Sequence, residues 1–366
     1  MVAGDLLARV RTEGAPLIDG DRATFVWQGE EAPFLVGDFN QWGWAPTDRG
    51  IRSAHVVMER VAPGVWAHTL TLPRDAYIEY AYLRDLTDDS RVRDPLNPRV
   101  IWNGVDADNH YFTMPDYRPT PLTETRADAL HGDVTEHVIE DEHLITSGAR
   151  TVYLYRPPVE EPVPLVVVFD GQDYLKRAML PTMVDNLIAE RRIRPIALAM
   201  VEHGDQARVV EYACNEATVA FVARRVVPLA HERLHLVDPQ GQPGSVGAYG
   251  VLGASMGGLI SLYTALRLPH IFGRVLSQSG AFSWGEPELV PLIVDYAQQR
   301  RETGLNIWMD VGRFEFLANS NRRMREALVN ASYHVTYQEY SGGHNYTCWR
   351  NDVAVGLQAL FGVSGG

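Results

Sequence analysis

The chain has 366 residues, 46% of them hydrophobic and 22% charged, which is the composition of a globular protein long enough for two domains. Its formal net charge of -13, from 33 Lys and Arg against 46 Asp and Glu, excludes the basic stripe with which a nucleic-acid binder displaces counterions from phosphates. The first residues lack the apolar stretch of a signal peptide, and no later segment reaches the roughly 18 apolar residues of a membrane span, so a soluble, cytoplasmic protein without a membrane partner is expected.

Short β-rich runs come first: ATFVWQG, APFLVGDF, SAHVVMERV, GVWAHTLTL, YIEYAYLRD and NHYFTM, each followed by turn residues. Their spacing predicts a small antiparallel sandwich over residues 1–118. Residues 119–132, with prolines and little periodicity, read as a linker. HVIEDEHLI and ARTVYLYRPP then predict an antiparallel pair that opens a larger domain over 133–366. From Pro162 the runs PLVVVFD, IRPIALAMV, YGVLG, FGRVLSQ, NIWMDV and HVTYQEY are separated by segments of helical spacing. Near-continuous apolar strands of this kind belong to a mostly parallel sheet buried on both faces, an α/β arrangement. Val219, Val222, Val226 and Leu229 predict one amphipathic helix with Asn215 as its cap. Two cysteines, Cys214 and Cys348, are too few for a disulfide framework or a four-thiolate zinc site. No metal or cofactor is expected.

Gly253, Ser255 and Gly257 fit G-x-S-x-G, the strand-to-helix elbow that lifts a serine hydroxyl above a sheet. A strand, YGVLG, precedes Ser255 and a helical segment ending at Pro269 follows it, so the context of the elbow is present. A serine hydroxyl needs a neighbouring base oriented by an acid. His344 in YSGGHNYTCWR lies just past the last strand, behind two glycines that would let the backbone bend. For the acid, the loop after NIWMD offers Glu315 and Asp310. Glu315 is preferred because a loop residue can reach the histidine, whereas Asp310 at the strand end points into the sheet. The amides of Met256 and of Gly171 or Gln172 are placed as oxyanion donors, with Gly171 giving the backbone freedom to turn inward. Asp170 and Asp173 read as turn-formers.

The stretches FDGQDYLKRAMLPTMVDNLI, ARVVEYACNEATVAFVARRVVPLA, GASMGGLISLYTALRLPHIFGRVLSQSGAFSW, DVGRFEFLANSNRRMREAL and GGHNYTCWR resemble the enterochelin esterase group of the esterase-D-type α/β hydrolases, over about residues 130–362. The resemblance implies an α/β-hydrolase fold and a serine carboxylesterase with Ser255 as nucleophile, His344 as base and Glu315 as acid. It implies an acyl-enzyme and a small-molecule substrate, a siderophore-type catecholate ester or lactone. It also makes Arg208, Glu211 and Asn215 candidate pocket residues, with Trp284 and Arg313 beside them. Arg208, Arg313 and Arg350 would supply positive charge to an anionic substrate. Both cysteines fall in segments where the group carries cysteine, which would bring them near each other. FLVGDFNQWGWAPT, followed by DPLNPR, is similar to the early-set immunoglobulin-like modules ahead of glycogen-branching enzymes and some carbohydrate esterases. In those modules the residues matching Asn40 and Trp42 form a turn, and a packing role is preferred for Trp42 over sugar stacking. A third role for the module is to cover one side of the pocket and help select the substrate, with Trp102 the residue concerned; two other functional readings stay open, a carbohydrate esterase removing acetyl or feruloyl groups and a non-enzymatic binding protein on a hydrolase scaffold.

Overall fold

Alternation of buried and exposed side chains turns the first 115 residues into antiparallel sheets, as seen in a computed structural model that describes residues 3–43, 55–87, 90–239, 247–283, 293 and 304–363. After helix α1 (Ala3–Glu13) come β1 (Leu17–Asp19), β2 (Arg22–Gln28), β3 (Phe34–Gly37), β4 (Glu59–Ala62), β5 (Val65–Thr71), β6 (Tyr77–Leu83), β7 (Arg91–Val92), β8 (Val100–Trp102) and β9 (Asp108–Thr113). One sheet has the order β1-β2-β5-β4 and the other β3-β6-β9-β8, with β7 on β6. Phe25 of β2 meets Tyr80 of β6 and Phe112 of β9 edge-on, with ring centroids 5.0 and 5.6 Å apart, so the inward faces of both sheets share one aromatic core. The helix α1 and the short strands β1, β7 and β8 carry too little periodicity to be read from sequence.

The stretch after Pro119 is no free linker. Thr120 caps a short turn at Pro121–Thr123, Leu122 is buried, and Asn186 donates to the Leu122 and Glu124 carbonyls at 2.8 and 2.9 Å. Strands β10 (Asp133–Glu140) and β11 (Ala149–Arg156) form the predicted antiparallel pair, but β10 ends at Glu140, five residues before the end of the expected run at Ile145. Asp141 causes this: its carboxylate accepts the amides of His143 and Leu144 at 3.0 and 2.9 Å, which makes the chain turn where a strand was expected to continue.

The α/β part follows with β12 (Leu165–Phe169), α2 (Gly171–Lys176), α3 (Leu180–Ala189), β13 (Ala197–Val201), α4 (Arg208–Tyr212), α5 (Glu216–Phe221), α6 (Val227–Arg233), β14 (Tyr249–Ala254), α7 (Met256–Arg267), β15 (Phe272–Gln278), β16 (Asn306–Gly312), α8 (Ala318–Asn330), β17 (His334–Tyr340) and α9 (Tyr346–Phe361). The eight-stranded sheet has the order β10-β11-β13-β12-β14-β15-β16-β17, and its ladders from β13 to β16 are parallel. Every residue of β12, β13 and β14 is buried, which is why these strands read as unbroken apolar runs. The amphipathic helix expected around Val219–Leu229 is α5 and α6 joined by a π-turn over Val222–Val226. Pro228 has no N–H to offer, and the wider turn absorbs the break while Val219, Val222 and Val226 stay buried. Asn215 caps α5 by accepting the Ala217 amide at 2.8 Å.

The chain divides into two compact units, and the division is not a single cut. Unit 1 contains Met1–Pro119 together with Gly312–Phe316 and Tyr340–Cys348, and unit 2 contains the remainder. Among the described residues no helix is long and apolar enough to cross a membrane, and no group of three or more His, Cys, Asp or Glu could hold a metal ion.

Candidate active site

Ser255 occupies the turn between β14 and α7 with φ 57° and ψ -123°, a conformation that costs a non-glycine residue about 1–3 kcal/mol. The surroundings fix it. Its amide donates to the Gln278 carbonyl at 2.9 Å, and its carbonyl accepts the amides of Gly258, Leu259 and Ala281 at 3.0, 3.1 and 3.0 Å. The flanking glycines are required by close approach: a Cβ on Gly253 would run into the Gly257 backbone, and one on Gly257 would lie 2.9 Å from Asp170 Oδ2. Met256 is the first residue of α7, so its amide has no acceptor within the helix and carries the positive end of the helix dipole.

A second helix start lies after β12. Asp170 has φ 56°, and α2 begins at Gly171, so the amides of Gly171 and Gln172 are again first-turn donors. Here the strained residue is Asp170. Gly171 has no left-handed φ and is needed because a Cβ would collide with the backbone at Met200 and Val201, which corrects the expectation that Gly171 supplies the conformational freedom. Asp170 is buried and takes both arms of Arg208 at 2.6 and 2.7 Å, while its amide donates to Tyr212 Oη at 3.2 Å. The side chain of Gln172 accepts the His203 amide at 3.2 Å.

Glu315 and His344 meet within unit 1. His344 Nδ1 lies 2.6 Å from Glu315 Oε2, and the other carboxylate oxygen accepts the Gly312 amide at 2.8 Å and the Tyr340 hydroxyl at 3.1 Å. The Glu315 side chain is fully buried and His344 is partly exposed. Facing a carboxylate, Nδ1 is the donor, which leaves Nε2 as the basic nitrogen of the neutral ring. Asp310 is placed differently: its carboxylate accepts Trp308 Nε1 at 2.8 Å and Gln278 Nε2 at 3.2 Å inside the sheet layer. Gln278 also accepts the Tyr174 hydroxyl and donates to the Trp349 carbonyl, so Asp310 belongs to a buried network beneath the elbow.

Ser255 thus stands on a strained turn between strand and helix, and a buried Glu315 contacts His344 elsewhere in the chain. The esterase family model matches residues 145–360, more than half of the chain. The chain belongs to the esterase family.

This esterase is 28% identical over 290 residues to the iron(III) enterobactin esterase of Dickeya dadantii, an alignment that covers 74% of this chain and 65% of that protein. The iron(III) enterobactin esterase of Escherichia coli strain K12 is 26% identical over 371 residues, covering 92% of this chain and 90% of that one. Among solved structures, the enterobactin esterase of Shigella flexneri in the presence of enterobactin superposes with a TM-score of 0.73 at 21% identity, over 93% of this chain and 92% of the other. That likeness shows the fold of the esterase: an α/β hydrolase behind a small β-sandwich.

The other residues singled out from sequence divide sharply. Glu211 is buried in a pair with Arg150 at 2.9 and 3.0 Å and accepts the Thr146 amide, and Asn215 is a helix cap. Arg208 is held by Asp170, so each of the three has a partner within the fold, and Glu211 also lines a cavity with Arg150, Glu202 and Tyr212. Arg313 is exposed on the acid loop, Arg350 is partly buried, and Trp284 lies outside the described residues. Trp42 turns its indole N–H onto Asp38 at 3.0 Å and Asn40 accepts the Gly37 amide, so both build the turn after β3. Neither cysteine is in a disulfide; burial pushes the Cys214 thiol up to about 12. Sequence reasoning missed Phe316, which is 59% exposed with its ring centroid 5.6 Å from that of His344, and Tyr340, which holds the acid. Phe316 follows Glu315 directly, and an apolar residue beside a loop acid was the available clue.

Proposed function

We propose that this esterase is a serine carboxylic-ester hydrolase acting on siderophore-type catecholate esters or lactones through an acyl-enzyme. Ser255 Oγ attacks the ester carbonyl while His344 Nε2 takes its proton, and Glu315 holds the imidazole and stabilises the cation that forms. The oxyanion accepts from Met256 N and from Gly171 N or Gln172 N. Protonated His344 then gives its proton to the departing alcohol, and a water deprotonated by the same nitrogen releases the acid. The observation that carries the reading is the 2.6 Å contact of a fully buried Glu315 with His344 in a chain whose Ser255 stands on a strained elbow. The names of the relatives from Dickeya and Escherichia support the substrate class. So does the exposed pair of Phe316 and Arg313 on the acid loop, an aromatic face and a cation suited to a catecholate ring.

The carbohydrate-ester reading rests on Trp102, which is half exposed on β8, because Trp42 is occupied in its turn. Parallel turnover of a catecholate trilactone, its linear fragments, a feruloylated sugar and a p-nitrophenyl ester separates the two. Preference for the catecholates by kcat/KM is expected, and preference for the sugar ester overturns the assignment.

A further inference from the structure

The two glycines before His344 raise a question that the proton relay leaves open. Neither Gly342 nor Gly343 has a left-handed φ, so the expected freedom to bend is not what they supply. What Gly343 supplies is closeness: a Cβ there would overlap Oδ1 and Cγ of Asp38, so the carboxyl group of Asp38 lies directly against the Gly343 backbone. Asp38 stands at the end of β3, buried, inside the D-F-N-Q-W turn of the sandwich. Its position is fixed from two sides, since Trp42 Nε1 donates to Oδ1 at 3.0 Å and the Glu79 amide donates to Oδ2 at 2.8 Å. The histidine loop has further backbone bonds to β6, to the loop of Glu315 and within itself. The Tyr77 amide donates to the Ser341 carbonyl at 3.1 Å, the Phe314 amide to the Gly342 carbonyl at 3.2 Å, and the Asn345 amide to the Gly343 carbonyl at 3.1 Å.

We infer that Asp38 is a positioning residue for the acid–base pair: its carboxyl group is the seat against which Gly343 packs, and that contact orients the neighbouring His344. The inference rests on the reading of His344 as the catalytic base. The electrostatics suit such a seat. Burial first, and then the negative charges of Glu79 and Glu315, push Asp38 well above the usual carboxylate range. The FNxW turn of the sandwich thereby has a task besides packing: it presents one buried carboxyl group to the loop that carries the base.

The test compares Asp38→Ala, Asp38→Asn and Ser255→Ala in the full-length enzyme with a p-nitrophenyl ester, after thermal melts have established that each variant is folded. Misplacing a catalytic group by about 1 Å costs on the order of 10²-fold. Asp38→Ala should therefore lower kcat by about 10- to 100-fold with KM within about twofold, and Asp38→Asn, which refills the seat but sets its amide nitrogen against one of the two N–H donors from Trp42 and Glu79, should restore part of it. An Asp38→Ala enzyme with unchanged kcat, a loss carried by KM, or an Asp38→Asn enzyme as poor as Asp38→Ala overturns the inference. If Asp38→Ala does not fold, Gly343→Ala strains the same contact from the other side: it should lose kcat in the same way, and a wild-type kcat there overturns the inference instead. Full activity in Ser255→Ala sinks the serine mechanism together with this role. An inactive Ser255→Ala beside a wild-type-like Asp38→Ala sinks the role of Asp38 alone.

Discussion

Arg208→Met should destabilise the enzyme by about 3 kcal/mol, and adding Asp170→Asn should recover most of the loss. Asp170 is 2% exposed at the side chain, Arg208 is 24% exposed, and the two share a bidentate pair at 2.6 and 2.7 Å. Removing one partner of a buried pair costs about 3–5 kcal/mol, chiefly because the remaining charge has lost its counterpart. Partial exposure of Arg208 lets water reach the vacated space, which favours the lower figure, about a 150-fold change in the folding constant. Asparagine at 170 removes the charge and tolerates the left-handed φ of 56°. The double variant should accordingly lie within about 1 kcal/mol of wild type. Urea titration of wild type, Arg208→Met and the double variant measures this directly. The single variant should also lose kcat, because Asp170 holds the start of α2, where the Gly171 and Gln172 amides are presented, and sits against Gly257 of the elbow. If Arg208→Met unfolds at the wild-type urea concentration, or if the double variant is no more stable than the single one, the pair is not what holds this loop.

Ser255→Ala should remove turnover while leaving the melt intact, with a residual rate on the order of 10³ over water from the oxyanion donors and binding. Wild-type turnover would exclude Ser255 as nucleophile. Glu315→Gln should lower kcat by up to roughly 10⁴-fold by disturbing the imidazole tautomer, whereas Asp310→Asn should act on stability, since its carboxylate serves Trp308 and Gln278. Equal losses of kcat in the two variants would refute that division. Phe316→Ala should raise KM for an aromatic acyl ester more than for an acetyl ester, and parallel increases would deny it a contact with substrate. Burial pushes Asp352 up to about 7, so folding favours its protonated form, and that contribution is lost as pH rises from the ordinary carboxylate range through about 7. Asp352→Asn should therefore gain stability over wild type between pH 5 and pH 8 in urea titrations, and a pH-independent difference would contradict the assignment.

The parallel sheet was legible because burial on both faces writes itself into β12, β13 and β14 as unbroken apolar runs, and the elbow because its constraints lie within five residues of chain. What could not be read depends on contacts between distant positions. The reason for glycine at 171 is the backbone at Met200 and Val201, and the reason for glycine at 257 includes Asp170. Glu211 and Arg208 are pocket candidates through the family resemblance alone, and nothing near them in sequence announces Arg150 or Asp170 as their partners. Local pattern fixes which residue types a position tolerates, and the partner that makes them necessary is set by topology. The same holds for the loops that bear the acid and the base. Residues 312–316 and 340–348 arise from β16 and β17 of the α/β sheet, yet they group with the sandwich, and Phe314 packs against the core formed by Phe25 and Tyr80. A reading that cuts the chain into successive domains assigns those loops to the α/β part on chain order alone. The contacts of Gly343 with Asp38 and of Ser341 with Tyr77 show why chain order fails there: the backbone around His344 is held by a layer encoded more than 250 residues earlier.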